Sequence, residues 1–165
     1  MTLSRSLRAR LRKLRVVIID VDGVLTDGGM YYSERGEELK KFNAKDGQGI
    51  QRLHQAGIRT ALVTGETTAI VAHRAAKLRI EDVYQGAVDK LSVVKALLEK
   101  HGIRPGEACY IGDDLGDLEP MKFIGTAVAV ADATPAIKRV AHYVTRRRGG
   151  EGAVREVCDM ILSSR

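Results

Sequence analysis

Long apolar runs are missing from this chain. No stretch approaches the roughly 18 uninterrupted apolar residues of a membrane-spanning helix. Cysteine is scarce. Cys109 and Cys158 are the only two, both in apolar contexts, too few for a disulfide framework or a thiolate metal site. The N-terminus carries neither the apolar run nor the small-residue cleavage site of a secretory signal, so a reducing cytoplasm is expected. Internal repeats, linkers and low-complexity tracts are absent too. What remains is 165 residues with 44% hydrophobic and 29% charged content, which predicts one globular domain over 1–165 with its own core.

Positive charge is in excess, with a formal net charge of +6. Much of it sits in "RSLRARLRKLR" (5–15) and "TRRRGG" (145–150). In the first, Leu7, Leu11 and Leu14 recur at i, i+4 and i+7, which predicts an amphipathic helix within 1–15 whose basic face is solvated. In the second, no aromatic residues interleave with the arginines, which argues against nucleic-acid binding. Neither nucleic acid nor membrane is an expected partner.

Along the chain, strand and helix patterns alternate. Val16–Val21 reads as a strand, and 28–43 as a hairpin with Met30–Tyr32 and Glu38–Phe42 around a Ser33–Gly36 turn. "GQGIQRLHQAG" (47–57) predicts a short helix closed by Gly57. "RTALVTG", "DVYQG", "EACYIGDD", "TAVAVAD" and "HYVT" read as strands, each preceded by a helical segment. Thr134 followed by Pro135 predicts a helix start, and "GAVREVCDMIL" a final helix. The alternation predicts an α/β fold: a parallel sheet covered by helices on both faces, with the site at the carboxyl ends of the strands.

The unusual polar residues fall at those ends. "DVDGVLTDG" (20–28) puts Asp20 and Asp22 at i and i+2, on one face of an extended chain, so like charges are forced together. Thr64 and Gly65 end the second strand, Lys90 follows the third, and Asp113, Asp114 and Asp117 follow the fourth. A carboxylate can attack phosphorus, a hard cation can bind through carboxylates, and Thr64, the Gly65 amide and Lys90 can neutralise phosphate oxygens. Phosphoryl transfer is the chemistry this inventory suits.

In this order, "DVDGVLTDG", "ALVTG", Lys90 and "GDDLGD" resemble the four motifs of the haloacid dehalogenase superfamily of phosphatases. The resemblance implies a three-layer Rossmann-like domain using Mg²⁺. Asp20 would be nucleophile, and Asp22 general acid and then base. Asp20, Asp22 and Asp113 would be metal ligands, and Asp114 and Asp117 would support the metal. Thr64, Gly65 and Lys90 would hold the phosphate. Neither segment between the motifs has room for a cap domain.

From Val16 to Asp159, stretches such as "TDGGMYYSERGEELKKFNAKDG" and "YVTRRRGGEGAVREVCD" are similar to the capless branch that includes 3-deoxy-D-manno-octulosonate (KDO) 8-phosphate phosphatase. That similarity implies a homotetramer assembled by the 28–43 hairpin, with residues 146–165 reaching a neighbour's site. Glu66 and Glu151 stand where the eight-carbon enzymes typically carry arginine. "TGETTAIVAHRAAKL" and "RGGEGAVREV" look more like the nine-carbon relatives acting on 2-keto-3-deoxy-nonulosonate (KDN) 9-phosphate. By that resemblance Asp46, Glu66, Arg74, Lys77, Gly149, Gly150 and Glu151 would meet a sugar-acid phosphate. The nine-carbon substrate is put first and the eight-carbon one second. A phospho-accepting signalling module is disfavoured by Asp22, which would shorten the life of a phospho-enzyme. A non-catalytic accessory module is disfavoured because every catalytic position is filled.

Overall fold

Val16–Ile19 (β1) is fully buried and forms the centre of a six-stranded sheet in the computed structural model, which describes residues 4–165. The hairpin strands β2 (Tyr31–Ser33) and β3 (Gly36–Leu39) pair only with each other. The remaining strands are β4 (Arg59–Val63), β5 (Asp82–Tyr84), β6 (Ala108–Gly112), β7 (Thr126–Ala129) and β8 (Tyr143–Val144). The sheet order is β5-β4-β1-β6-β7-β8 and every pairing is parallel. Continuous apolar runs such as Val16–Ile19 are what a strand covered on both faces requires.

The helices are α1 (Arg5–Leu11), α2 (Ala44–Gln55), α3 (Ala69–Leu78), α4 (Lys90–His101), α5 (Leu118–Phe123), α6 (Pro135–Val140) and α7 (Ala153–Ser164). In one layer α7 packs on α1 and α2; in another α5 packs on α4 and α6. Among the described residues no helix is long and apolar enough to cross a membrane, and no cap domain stands over the sheet.

Several boundaries differ from the sequence reading, each for a local reason. Residues 1–3 of the expected 1–15 helix lie outside the described residues, and α1 stops at Leu11, although Leu14 beyond it is still fully buried. The basic side chains there satisfy carbonyls elsewhere: Arg12 Nε donates to the Ser164 carbonyl at 2.7 Å and Arg15 to Gly102 at 2.9 Å. The α2 helix starts one turn early because the Asn43 side chain caps Lys45 N at 2.8 Å. The hairpin strands are Tyr31–Ser33 and Gly36–Leu39 instead of Met30–Tyr32 and Glu38–Phe42, and Phe42 bridges to Thr26. Thr134 does precede α6 with Pro135 at its first position, but the Thr134 hydroxyl accepts no bond from the helix.

Candidate active site

Because β1 lies between β4 and β6, the chain leaving β1 is flanked by the ends of both neighbours. Asp20 caps a single wide turn over Val21–Leu25, its Oδ1 accepting from Val21 N at 2.8 Å. Within that turn Gly23 takes φ +83°, and a Cβ there would overlap the Asp113 carboxylate. Glycine is needed both for the left-handed backbone and for the close approach of Asp113.

Asp20, Asp113 and Asp117 each offer a carboxylate oxygen within 4.8 Å of the others. Lys90, the first residue of α4, crosses to them, with Nζ 2.9 Å from Asp20 Oδ1 and 2.8 Å from Asp117 Oδ1. Burial pushes the Lys90 ammonium toward deprotonation, but Asp20 and Asp117 outweigh it and hold its pKa above normal. Burial raises the Asp20 carboxyl well above its usual range, with Asp117 adding repulsion and Lys90 opposing both. Burial and then the Asp117 charge push Asp113 up to about 7. Asp20 and Asp117 share one ammonium, and the buried Asp113 Oδ1 has no partner. Hard oxygen donors with uncompensated charge and an orphaned buried oxygen fit a hard divalent cation.

Asp117, expected as a metal support, is the most engaged of the acids. Its Oδ1 accepts from Tyr110 Oη at 2.8 Å and its Oδ2 from Asp113 N at 2.9 Å. It thus shapes the loop presenting Asp113 and positions Lys90. Asp114 turns outward and caps Leu115 N at 2.8 Å. The Asp22 side chain, named as a ligand by the resemblance, also turns away from the cluster. Its Oδ1 is 2.6 Å from Lys40 Nζ and its Oδ2 accepts from Thr64 Oγ1 at 3.3 Å. Thr64 and Gly65 lie beside it at the end of β4, Thr64 buried and Gly65 exposed.

The residues expected to meet the sugar acid divide sharply. Glu66, Lys77 and Glu151 are exposed. Arg74 is half-buried, stacked 5.3 Å from the Phe42 ring centroid and donating to the Asn43 carbonyl at 3.1 Å, so it is neither a solvated face nor a free cation. Asp46 is fully buried, and its Oδ1 accepts from Arg155 N at 2.7 Å, fastening α7 onto α2. Gly149 and Gly150 are buried against the chain's own Gly23–Asp27 segment, with Gly150 N donating to the Val24 carbonyl at 3.0 Å and a Cβ on either colliding with that backbone. Within residues 146–165, α7 buries Val154, Val157, Cys158 and Ile161 in the core. Only Arg146, Arg147, Arg148 and Glu151 of the basic loop remain exposed.

Sequence reasoning missed Lys40, Tyr110 and Asp132. Asp132 follows β7 and accepts from Gly149 N at 3.0 Å, so the strand-end rule applied to "AVAVAD" would have found it. Tyr110, two residues before the end of β6, gave no signal beyond its strand. Lys40 lay within the expected hairpin strand Glu38–Phe42, with nothing in the sequence to mark it as buried. A cleft of about 960 Å³ lies away from the strand ends, between α7 and β8, and includes Arg8, Lys45 and Arg146.

Comparison with known proteins agrees with this geometry. The family described as haloacid dehalogenase-like hydrolase matches residues 75–157. The 3-deoxy-D-manno-octulosonate 8-phosphate phosphatase of Escherichia coli strain BL21 is 47% identical over 159 residues, spanning 96% of this chain and 85% of the relative. The crystal structure of that phosphatase from Yersinia pestis superposes with a TM-score of 0.96 at 46% identity, covering 98% of this chain and 88% of its own. The Moraxella catarrhalis phosphatase, solved with magnesium, phosphate and KDO, gives a TM-score of 0.96 at 38% identity, covering 99% and 94%. With Asp20, Lys90 and the further acids at the strand ends in the expected order, the chain belongs to the haloacid dehalogenase-like hydrolases, as a phosphoric monoester hydrolase whose sheet carries no cap domain.

Proposed function

We propose that this chain hydrolyses the 8-phosphate of 3-deoxy-D-manno-octulosonate through an aspartyl-phosphate on Asp20. The observation that carries the chemistry is the placement of Asp20 between Lys90 and the Asp113–Asp117 pair, with Asp22 and Thr64 alongside. An Asp20 oxygen bonds to phosphorus as the phosphorus–sugar oxygen bond breaks, and the leaving oxygen takes a proton from Asp22. A water then attacks the phosphoryl group and gives its proton to Asp22, releasing phosphate and restoring Asp20. Lys90 and the Thr64–Gly65 end of β4 neutralise phosphate oxygens. Asp20 and Asp113, backed by Asp117, would hold Mg²⁺. When bound, the cation offsets the carboxylate repulsion and draws charge from the phosphoryl oxygens.

The eight-carbon substrate is favoured over the nine-carbon one because the relatives matched over nearly the whole chain are octulosonate phosphatases, one of them solved with KDO and magnesium. Glu66 and Glu151, which favoured KDN 9-phosphate, stay as two exposed departures at the rim. Enclosure of the substrate belongs to neighbouring copies in a homotetramer, since the hairpin presents Met30, Tyr31, Tyr32 and Leu39 to solvent and no cap covers the site. The deciding measurement is kcat/KM with Mg²⁺ on KDO 8-phosphate and KDN 9-phosphate side by side, for wild type and Glu66→Arg. A higher value for the eight-carbon substrate is expected. A preference for KDN 9-phosphate that Glu66→Arg reverses would restore the nine-carbon reading, and no phosphate release from either would overturn both.

A further inference from the structure

Lys40 is the most unusual residue outside the expected motifs. Its side chain is fully shielded from solvent, yet it is an ammonium held between two carboxylates, 2.6 Å from Asp22 Oδ1 and 2.8 Å from Glu37 Oε1. Three consecutive residues leaving the hairpin are fastened to the segment after β1. Lys40 reaches Asp22, Lys41 pairs with Asp27 at 3.1 Å, and Phe42 bridges to Thr26. Alternation along an extended chain sends Lys40 inward and Lys41 outward, which matches the burial of the first and the 59% side-chain exposure of the second.

We infer that Lys40 is a positioning residue for the Asp22 carboxylate, linking the hairpin to the proton-transfer group of the reaction. The geometry leaves Asp22 little freedom. Lys40 holds one oxygen and the Thr64 hydroxyl the other, so the carboxylate plane is set by two donors rather than by its own rotamer. Glu37, the second partner of Lys40, lies in β3, so the ammonium is itself positioned by the hairpin. A buried ammonium loses its solvation, and only paired carboxylates make such burial tolerable. Removing the hairpin's grip would release Asp22 to other rotamers without touching Asp20, Lys90 or the acids that would hold a cation.

This inference rests on the proposed roles of Asp20 and Asp22. Its test is a double-mutant cycle on the full-length chain, with KDO 8-phosphate and Mg²⁺ in excess. Lys40→Met is expected to lower kcat on the order of 10²-fold, the loss that accompanies an ångström-scale misplacement of a reacting group. KM is expected to stay within about twofold, because Lys40 acts through Asp22 and not on the substrate. Combined with Asp22→Asn, the lysine change should cost nothing further, since its only route to the chemistry is gone. Lys40→Arg, which keeps the charge, should recover much of the loss. An unchanged kcat in Lys40→Met, a loss appearing wholly in KM, or losses that add in the Asp22→Asn background would each overturn the inference. Should Lys40→Met fail to fold by circular dichroism, Lys40→Gln carries the same expectations, because it keeps a donor to Glu37 while losing the charge. An active Asp20→Asn would sink the covalent mechanism instead, leaving the Lys40–Asp22 coupling to be judged by the cycle itself.

Discussion

At the scale of single residues, the site is governed by carboxylates that do not have enough positive charge to go round. Asp20→Asn is expected to abolish turnover, whereas Asp22→Asn should lower kcat by about 10²–10⁴-fold while substrate still binds, in steady-state assays. Tyr110→Phe removes the hydroxyl that holds Asp117 and should cost about 1.5–3 kcal/mol in denaturant unfolding, as for other hydrogen bonds to charged groups. Asp113 makes a prediction about pH. Its folded value of about 7 lies above its usual 3.8, so between those values the folded chain binds more protons than the unfolded one. Its contribution to stability is therefore present at acidic pH and declines as pH rises through that window. In EDTA, the melting temperature of wild type should fall more from about pH 5 to about pH 8 than that of Asp113→Asn, and added Mg²⁺ should stabilise most at the upper end, where protons no longer compete for the site. Parallel curves for the two proteins would contradict this account.

At the scale of elements, the central strands, three acidic or lysine-bearing strand ends and the Thr64–Gly65 end were legible in the sequence, because a continuous apolar run closed directly by polar residues suits little besides a buried strand that ends at a polar site. Long-range dockings were not legible. Asp46 accepts a bond from Arg155 N more than a hundred residues away, and no local pattern announces such a bond. For residues 146–165 the sequence predicts a final helix, but nothing local shows that its Val154, Val157, Cys158 and Ile161 face packs on α2. Truncation before Gly149 is therefore expected to unfold the domain rather than only impair catalysis. Each large core side chain lost contributes about 1.5–3 kcal/mol, so a few of them approach a total stability of about 5–15 kcal/mol. A cooperative melt retained by the truncated chain would refute this. A subtler change, Gly149→Ala, forces a methyl group into the Gly23 carbonyl and should lower both melting temperature and kcat by displacing the loop that carries Asp22.

At the scale of the whole molecule, an uncapped site and an apolar hairpin face belong together. Tyr32 is 65% and Leu39 64% exposed in the isolated chain, an arrangement suited to burial against other copies. Light scattering is expected to give about four times the 18.0 kDa chain mass, and Leu39→Glu should shift it toward monomer with a loss of activity. A monomeric but fully active wild type would remove the neighbour from the site. The seating of Gly149 and Gly150 on the Gly23–Asp27 turn has a further consequence, one of timing. A ribosome delivers Asp20 early, but β1 acquires its neighbours only after residues 59–62 and 108–111 emerge, and the turn acquires its backing only after residue 150. Nascent chains halted before that point should carry Asp20 and yet show no phosphatase activity, because the first motif to be synthesised is among the last to be completed.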